Sequence, residues 1–163
     1  MDPRPAHRPC TLFLDANVLL DHPELSRWRT DRSNLTVVVL ARVAQEIHGL
    51  GRRADATAAQ ARRASLALEA LRQRGPRAPL NPGCPRVQLR RGDDLSADVD
   101  GHLVAEARAY QDRHPEQAVG VVTRDHGVWD RAGHGVYCVL VRGTFDNAAL
   151  ARAVRETLAG CAR

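Results

Sequence analysis

"TLFLDANVLLDH", residues 11–22, sets three large apolar residues, Leu12, Phe13 and Leu14, directly before a carboxylate, Asp15, and then resumes with Val18, Leu19 and Leu20. Its first half is too continuously apolar for a half-exposed strand, which alternates apolar and polar residues. It has the character of a buried parallel strand. Residues 35–40, 119–122 and 136–141 read the same way. Between these runs the apolar residues fall at helical spacing: Val43, Ala44, Ile47 and Leu50, then Ala61, Ala64, Leu68 and Leu71, then Val99, Leu103, Val104 and Ala107. A last helix carries Leu150, Val154 and Leu158, with "TFDN", residues 144–147, offering capping side chains before it. Strands alternating with helices predict an α/β fold, a three-layer α/β/α sandwich around a mostly parallel central sheet.

Length and composition agree with one such unit. The 163 residues suit a single core, expected over residues 10–163 after an N-terminal tail at 1–9. A hydrophobic fraction of 44% with 26% charged residues is that of an ordinary globular chain. No apolar run approaches the ~18 residues that span a membrane, and "MDPRPAHRP" lacks the apolar core of a signal peptide, so a cytoplasmic location is expected. The proline-rich "RGPRAPLNPGCPR", residues 74–86, reads as an irregular loop within the domain. Cys10, Cys84, Cys138 and Cys161 lie far apart with no C-x-x-C pair, and read as buried or idle thiols. The net charge of +5 rests on arginine alone, without a single lysine. It favours a polyanionic partner, although an arginine-rich proteome gives the same signature.

In an open parallel sheet, ligands bind beyond the carboxyl ends of the strands, where strand order reverses. Asp15 sits at such an end. "AVGVVTRDHGVWD", residues 118–130, delivers Thr123 and Asp125 at another. "VVVLARVAQEIHGL", residues 37–50, runs from strand to helix and carries Glu46 on the flank of the Val43, Ile47 and Leu50 face. "LSADVDGHLVAEA", residues 95–107, adds Asp100 three residues before Leu103. Carboxylates gathered at one sheet edge repel unless a cation compensates. An all-oxygen set suits Mg²⁺ or Mn²⁺ rather than zinc, and such ions activate water and neutralise phosphate. The chemistry implied is phosphodiester hydrolysis.

These same segments resemble the PIN-domain nucleases. "LFLDANVLLD", "VVVLARVAQEIHGLGRR", "DGHLVAEA" and "VVTRDHGVWD" together span most of residues 11–141. The opening and the E-I-H-G-L-G-R-R helix are most similar to PIN domains found beside PhoH-type ATPases, and less so to VapC-type toxins. The resemblance implies a metal-dependent ribonuclease with Asp15, Glu46, Asp100 and Asp125 as catalytic acids and ligands of Mg²⁺ or Mn²⁺. It implies single-stranded RNA as substrate, and admits an antitoxin or a homodimer partner. Many relatives carry a further acid or amide about three residues after the fourth acid; here Val128 stands there, and Asp130 lies one helical turn beyond Asp125.

Each residue also has a plainer reading. Asp15 is suited to cap the following helix, Asn17 to bond its own turn, Glu46 to face solvent and Thr123 to serve as an ordinary strand residue. Asp93, Asp94 and Asp98 compete with Asp100. Asn17 and Thr123 are the expected supports of Asp15 and Asp125, and Arg52, Arg53 and Arg124 are candidate phosphate holders, with Arg62 and Arg63 behind them. His22, His48, His102 and His126 read as surface or packing residues, since no H-x-x-x-H pair occurs. Trp28 and Trp129 read as packing residues rather than base-stacking platforms. Two other functions fit less well. A haloacid-dehalogenase-like phosphatase requires an acid where Asn17 stands, and a PIN-like module that binds RNA or protein without cleaving needs no metal.

Overall fold

Every residue of β1 (Cys10–Leu14) is buried, so the opening strand is covered on both faces, as a central parallel strand must be. The computed structural model describes residues 8–74, 83–92, 99–132 and 135–161, and for Val99 and Asp100 the backbone alone. After β1 come α1 (Ala16–Asp21), a 3-10 turn (Leu25–Arg27), β2 (Leu35–Leu40), α2 (Ala41–Leu50), α3 (Thr57–Arg74) and β3 (Arg86–Arg90). The second half holds α4 (Val99–Arg113), β4 (Ala118–Thr123), α5 (His126–Ala132), β5 (Tyr137–Leu140) and α6 (Asn147–Cys161).

The strands pair in the order β3-β2-β1-β4-β5, all parallel. Chain order runs outward from β1 through β2 to β3, then returns to the other side of β1 for β4 and β5. The reversal therefore falls between β1 and β4. Leu14 pairs with Val122, and Asp15 N–H continues the ladder to the Val122 carbonyl at 3.0 Å. Asp15 and the residues that follow Val122 are thereby held side by side.

Alternation along β1 and β4 divides the core into two layers. Leu12 and Gly120 face α6, where a Cβ on Gly120 would lie 2.6 Å from Thr157 Oγ1. Phe13 faces α4, meeting Tyr110 edge-on at a centroid separation of 5.5 Å. The expected helical stripes are found: Ala61, Ala64, Leu68 and Leu71 are buried on α3, Leu103, Val104 and Ala107 on α4, and Leu150 and Val154 on α6. Asp146, from the "TFDN" segment, caps α6 by accepting from Ala149 N–H at 2.8 Å. Trp28 is fully buried against Phe145 and His22, and its indole N–H reaches the His22 carbonyl at 2.7 Å.

One element departs from the sequence reading. Edge strand β3 lies at the end of the proline-rich loop, and its "RVQLR" is only partly buried, so it carries no continuous apolar run. Residues 75–82 of that loop and 1–7 of the tail lie outside the described residues. Arg8 is fastened to the domain: its guanidinium donates to the carbonyls of Pro115, Gln117 and Cys161. Trp129 is half-exposed on α5. All four cysteines are free. Among the described residues no helix is long and apolar enough to cross a membrane.

Candidate active site

A cleft of about 120 Å³ opens at the carboxyl edge of the sheet beside the β1–β4 reversal. Its walls carry Asp15 and Asn17 from the start of α1, Arg42 and Glu46 from α2, His102 from α4 and Asp125 from the end of β4. Three of the four expected acids thus share one space. Asp100 begins the first turn of α4, and its side chain lies outside the described residues. Asp93, Asp94 and Asp98 lie outside them altogether.

Asp15 serves as a cap and as a site residue at once, because a carboxylate has two oxygens. Oδ1 accepts from Ala16 N–H at 2.8 Å, and Oδ2 accepts from the Thr123 hydroxyl at 2.7 Å. Thr123, fully buried, in turn accepts from Asp125 N–H at 3.0 Å. One hydroxyl therefore ties the end of β1 to the end of β4. Asp125 Oδ1 accepts from Gly127 N–H at 2.7 Å, which turns the chain into α5. The charge of Asp15 is felt on β5: burial pushes the Cys138 thiol up to about 12, and the neighbouring carboxylate adds to the rise.

The supporting residues divide by position. Asn17 accepts from Arg124 N–H at 3.2 Å, a second link between the segments that follow β1 and β4. The Arg124 guanidinium pairs with Asp21 and donates to the Gly143 carbonyl at 3.0 Å, so it braces the loop before α6. Asp21 also accepts from Phe145 N–H, at 2.8 Å. Arg52 and Arg53 are exposed beyond the end of α2, with Arg52 beside His48, and neither lines the cleft. Asp130 is exposed and outside the lining, while Val128 forms part of the wall.

His102 is the residue that sequence reasoning undervalued. It is buried, as a packing histidine is, yet the residue is part of the cleft lining and neither ring nitrogen has a hydrogen-bond partner. Its signal in the sequence was the spacing of His102, Glu106 and Tyr110, a second buried stripe on α4 beside that of Leu103 and Ala107. That stripe is polar, so an apolar search passes over it.

Among the described residues, no three carboxylate, imidazole or thiol side chains converge tightly enough to form a closed ion cage. The donor set still fits a hard divalent cation. Mg²⁺ is commonly held by one or two carboxylates and keeps several of its waters. A single water needs only ~10–15 Å³ of such space, so the cleft, whose lining includes Asp15, Glu46 and Asp125, has room for a hydrated ion.

An open parallel sheet with carboxylates converging at its switch point defines a class, the α/β/α proteins whose chemistry sits at the carboxyl edge of the strands. Within that class, the PIN-domain family model matches residues 12–136, most of the chain, and the protein belongs to the PIN-domain family. The family fold is a nuclease-type fold, generally dependent on divalent metal. The match is to the PIN domain as a whole and singles out no subtype. No curated protein matches the chain.

Proposed function

We propose that this PIN domain is a metal-dependent ribonuclease that hydrolyses RNA phosphodiester bonds in the cleft, with Mg²⁺ or Mn²⁺ held by Asp15, Glu46 and Asp125 and by Asp100 from the adjoining turn of α4. The observation that carries this reading is the convergence of Asp15, Glu46 and Asp125 on one small cleft at the β1–β4 reversal. A divalent ion bound there neutralises phosphate oxygens and makes a water acidic enough to attack. The chain's own part is positional. Thr123 fixes the separation of the Asp15 and Asp125 segments, and Val43, Leu103 and Val128 form the apolar part of the cleft wall. RNA is the proposed substrate, the net charge of +5 favouring a polyanion. Arg52 and Arg53, exposed past the end of α2, are proposed to meet its backbone outside the cleft.

The test is cleavage of labelled single-stranded RNA and of matched DNA by wild type and Asp125→Asn, with Mn²⁺, with Mg²⁺ and with chelator. Asp125 is exposed, so the substitution opens no core cavity. Metal-dependent RNA cleavage in wild type that vanishes in Asp125→Asn is the expected result. Equal activity of the two proteins refutes the proposal. A second reading, a PIN fold that binds RNA or a protein partner without cleaving, draws on Val128 in the cleft wall and on the lack of a closed ion cage among the described residues. It predicts RNA retention without cleavage and no effect of chelator.

A further inference from the structure

Histidines inside this fold ordinarily find partners. His22 Nε2 lies 3.2 Å from Asn147 Oδ1, and His114 Nδ1 lies 2.9 Å from the Tyr110 carbonyl. His102 departs from this pattern. The residue is 2% exposed, and both ring nitrogens are without a hydrogen-bond partner. Buried polar groups are nearly always satisfied, so an orphaned pair of nitrogens marks a position completed by something else. His102 lines the same cleft as Asp15, Glu46 and Asp125. In either neutral tautomer one imidazole nitrogen keeps a lone pair, so the cleft offers a nitrogen donor beside its carboxylate oxygens.

We propose that His102 is a ligand of the divalent ion in this cleft, converting an all-oxygen site into a mixed nitrogen–oxygen site that prefers Mn²⁺ to Mg²⁺. The inference rests on the reading of the cleft as a metal site. Imidazole suits first-row transition ions, whereas Mg²⁺ takes oxygen ligands and releases its waters reluctantly. The position of the ring favours ligation over contact with substrate. It is rooted in α4, where Leu103 and Glu106 are buried as well, on a helix rather than a loop and out of solvent. A buried, rigid donor serves a small ion better than it serves a flexible polymer.

The experiment uses the full chain and Mn²⁺ itself. Electron spin-echo spectroscopy of bound Mn²⁺ reads directly whether a ¹⁴N nucleus is coordinated, and titration against Mg²⁺ gives the relative affinities. Wild type is expected to show ¹⁴N modulation that disappears in His102→Leu and in His102→Phe, the second variant preserving ring volume. Loss of the ligand should weaken Mn²⁺ binding ~10–100-fold, by analogy with the loss of groups that support metal sites. Mg²⁺ binding should change far less. Wild type grown on ¹⁵N-histidine gives a reading that needs no substitution, since its modulation must shift to the ¹⁵N pattern. Unchanged modulation in either variant or in the labelled protein, or equal Mn²⁺ affinity in wild type and variants, overturns the proposal. If wild type binds Mn²⁺, Asp125→Asn weakens it and His102 has no effect, the inference fails while the metal site stands. If wild type binds no Mn²⁺, both fail.

Discussion

Thr123→Val replaces one hydroxyl by a methyl group of nearly the same size, at a fully buried position. Two hydrogen bonds go with it: the donation to Asp15 Oδ2 at 2.7 Å and the acceptance from Asp125 N–H at 3.0 Å. A bond to a charged acceptor contributes ~1.5–3 kcal/mol and a neutral one ~0.5–1.5 kcal/mol. Asp15 is only half-buried and Asp125 is exposed, so water replaces part of each. A net loss of about 2 kcal/mol is expected, which for a domain of this size lowers Tm by roughly 4–8 °C. Thermal unfolding followed by circular dichroism measures it, with Thr123→Ser as the companion variant. Serine keeps the hydroxyl and loses the methyl, at about 1 kcal/mol. If Thr123→Val melts with wild type while Thr123→Ser falls, methyl packing holds the position and the hydroxyl bridge between β1 and β4 is refuted. The same variant should bind Mn²⁺ more weakly, because the two strand ends lose their common anchor.

Three further outcomes follow from the packing. Burial holds the pKa of His22 below its ordinary 6.5, against the opposing effects of the Asn147 bond and the Asp146 and Glu24 charges. Below pH 6.5 the unfolded chain then binds the proton first, so His22 takes stability away as pH falls through that value and contributes no slope above it. Urea unfolding at pH 7.5 and pH 5 should show a smaller loss in His22→Phe than in wild type, and equal losses would contradict the assignment. Burial pushes the Cys10 and Cys138 thiols up to about 12, so neither should react with a disulfide reagent at pH 8 until the protein unfolds. Rapid modification of either in the native state would show that the burial is wrong. Gly120→Ala sets a Cβ 2.6 Å from Thr157 Oγ1 and 2.9 Å from its Cγ2, forcing α6 away from β4 at a cost of ~1–3 kcal/mol. Adding Thr157→Ala should restore much of the loss, and a purely additive double mutant would place the strain elsewhere.

The continuous apolar runs made most of the sheet legible, because a strand covered on both faces has no polar side to show. β3 escaped for the opposite reason. It is an edge strand of mixed residues, Arg86, Val87, Gln88, Leu89 and Arg90, and its pairing with β2 comes from the backbone rather than from side-chain pattern. Among the site residues, Asp15 and Asp125 were legible from their place just past a buried strand, and Glu46 from its place on the helix that follows one. The destination of Arg124 was not. Its sequence neighbour is Asp125, but its guanidinium turns to Asp21 and the Gly143 carbonyl, partners far from it along the chain.

The sequence by itself determined the alternation of strands and helices, the carboxylates at strand ends and the family to which they point, since each depends on residue type and short-range spacing. Tertiary structure decided which of those groups meet. Strand order puts β4 beside β1 and so brings Thr123 and Asp125 to Asp15, from which they are separated by more than half the chain. It also carried His102 to the cleft lining with both nitrogens unpartnered. Whether a histidine is a packing residue or a ligand depends on what the fold sets around its ring, and that is fixed only when α4 docks on the sheet.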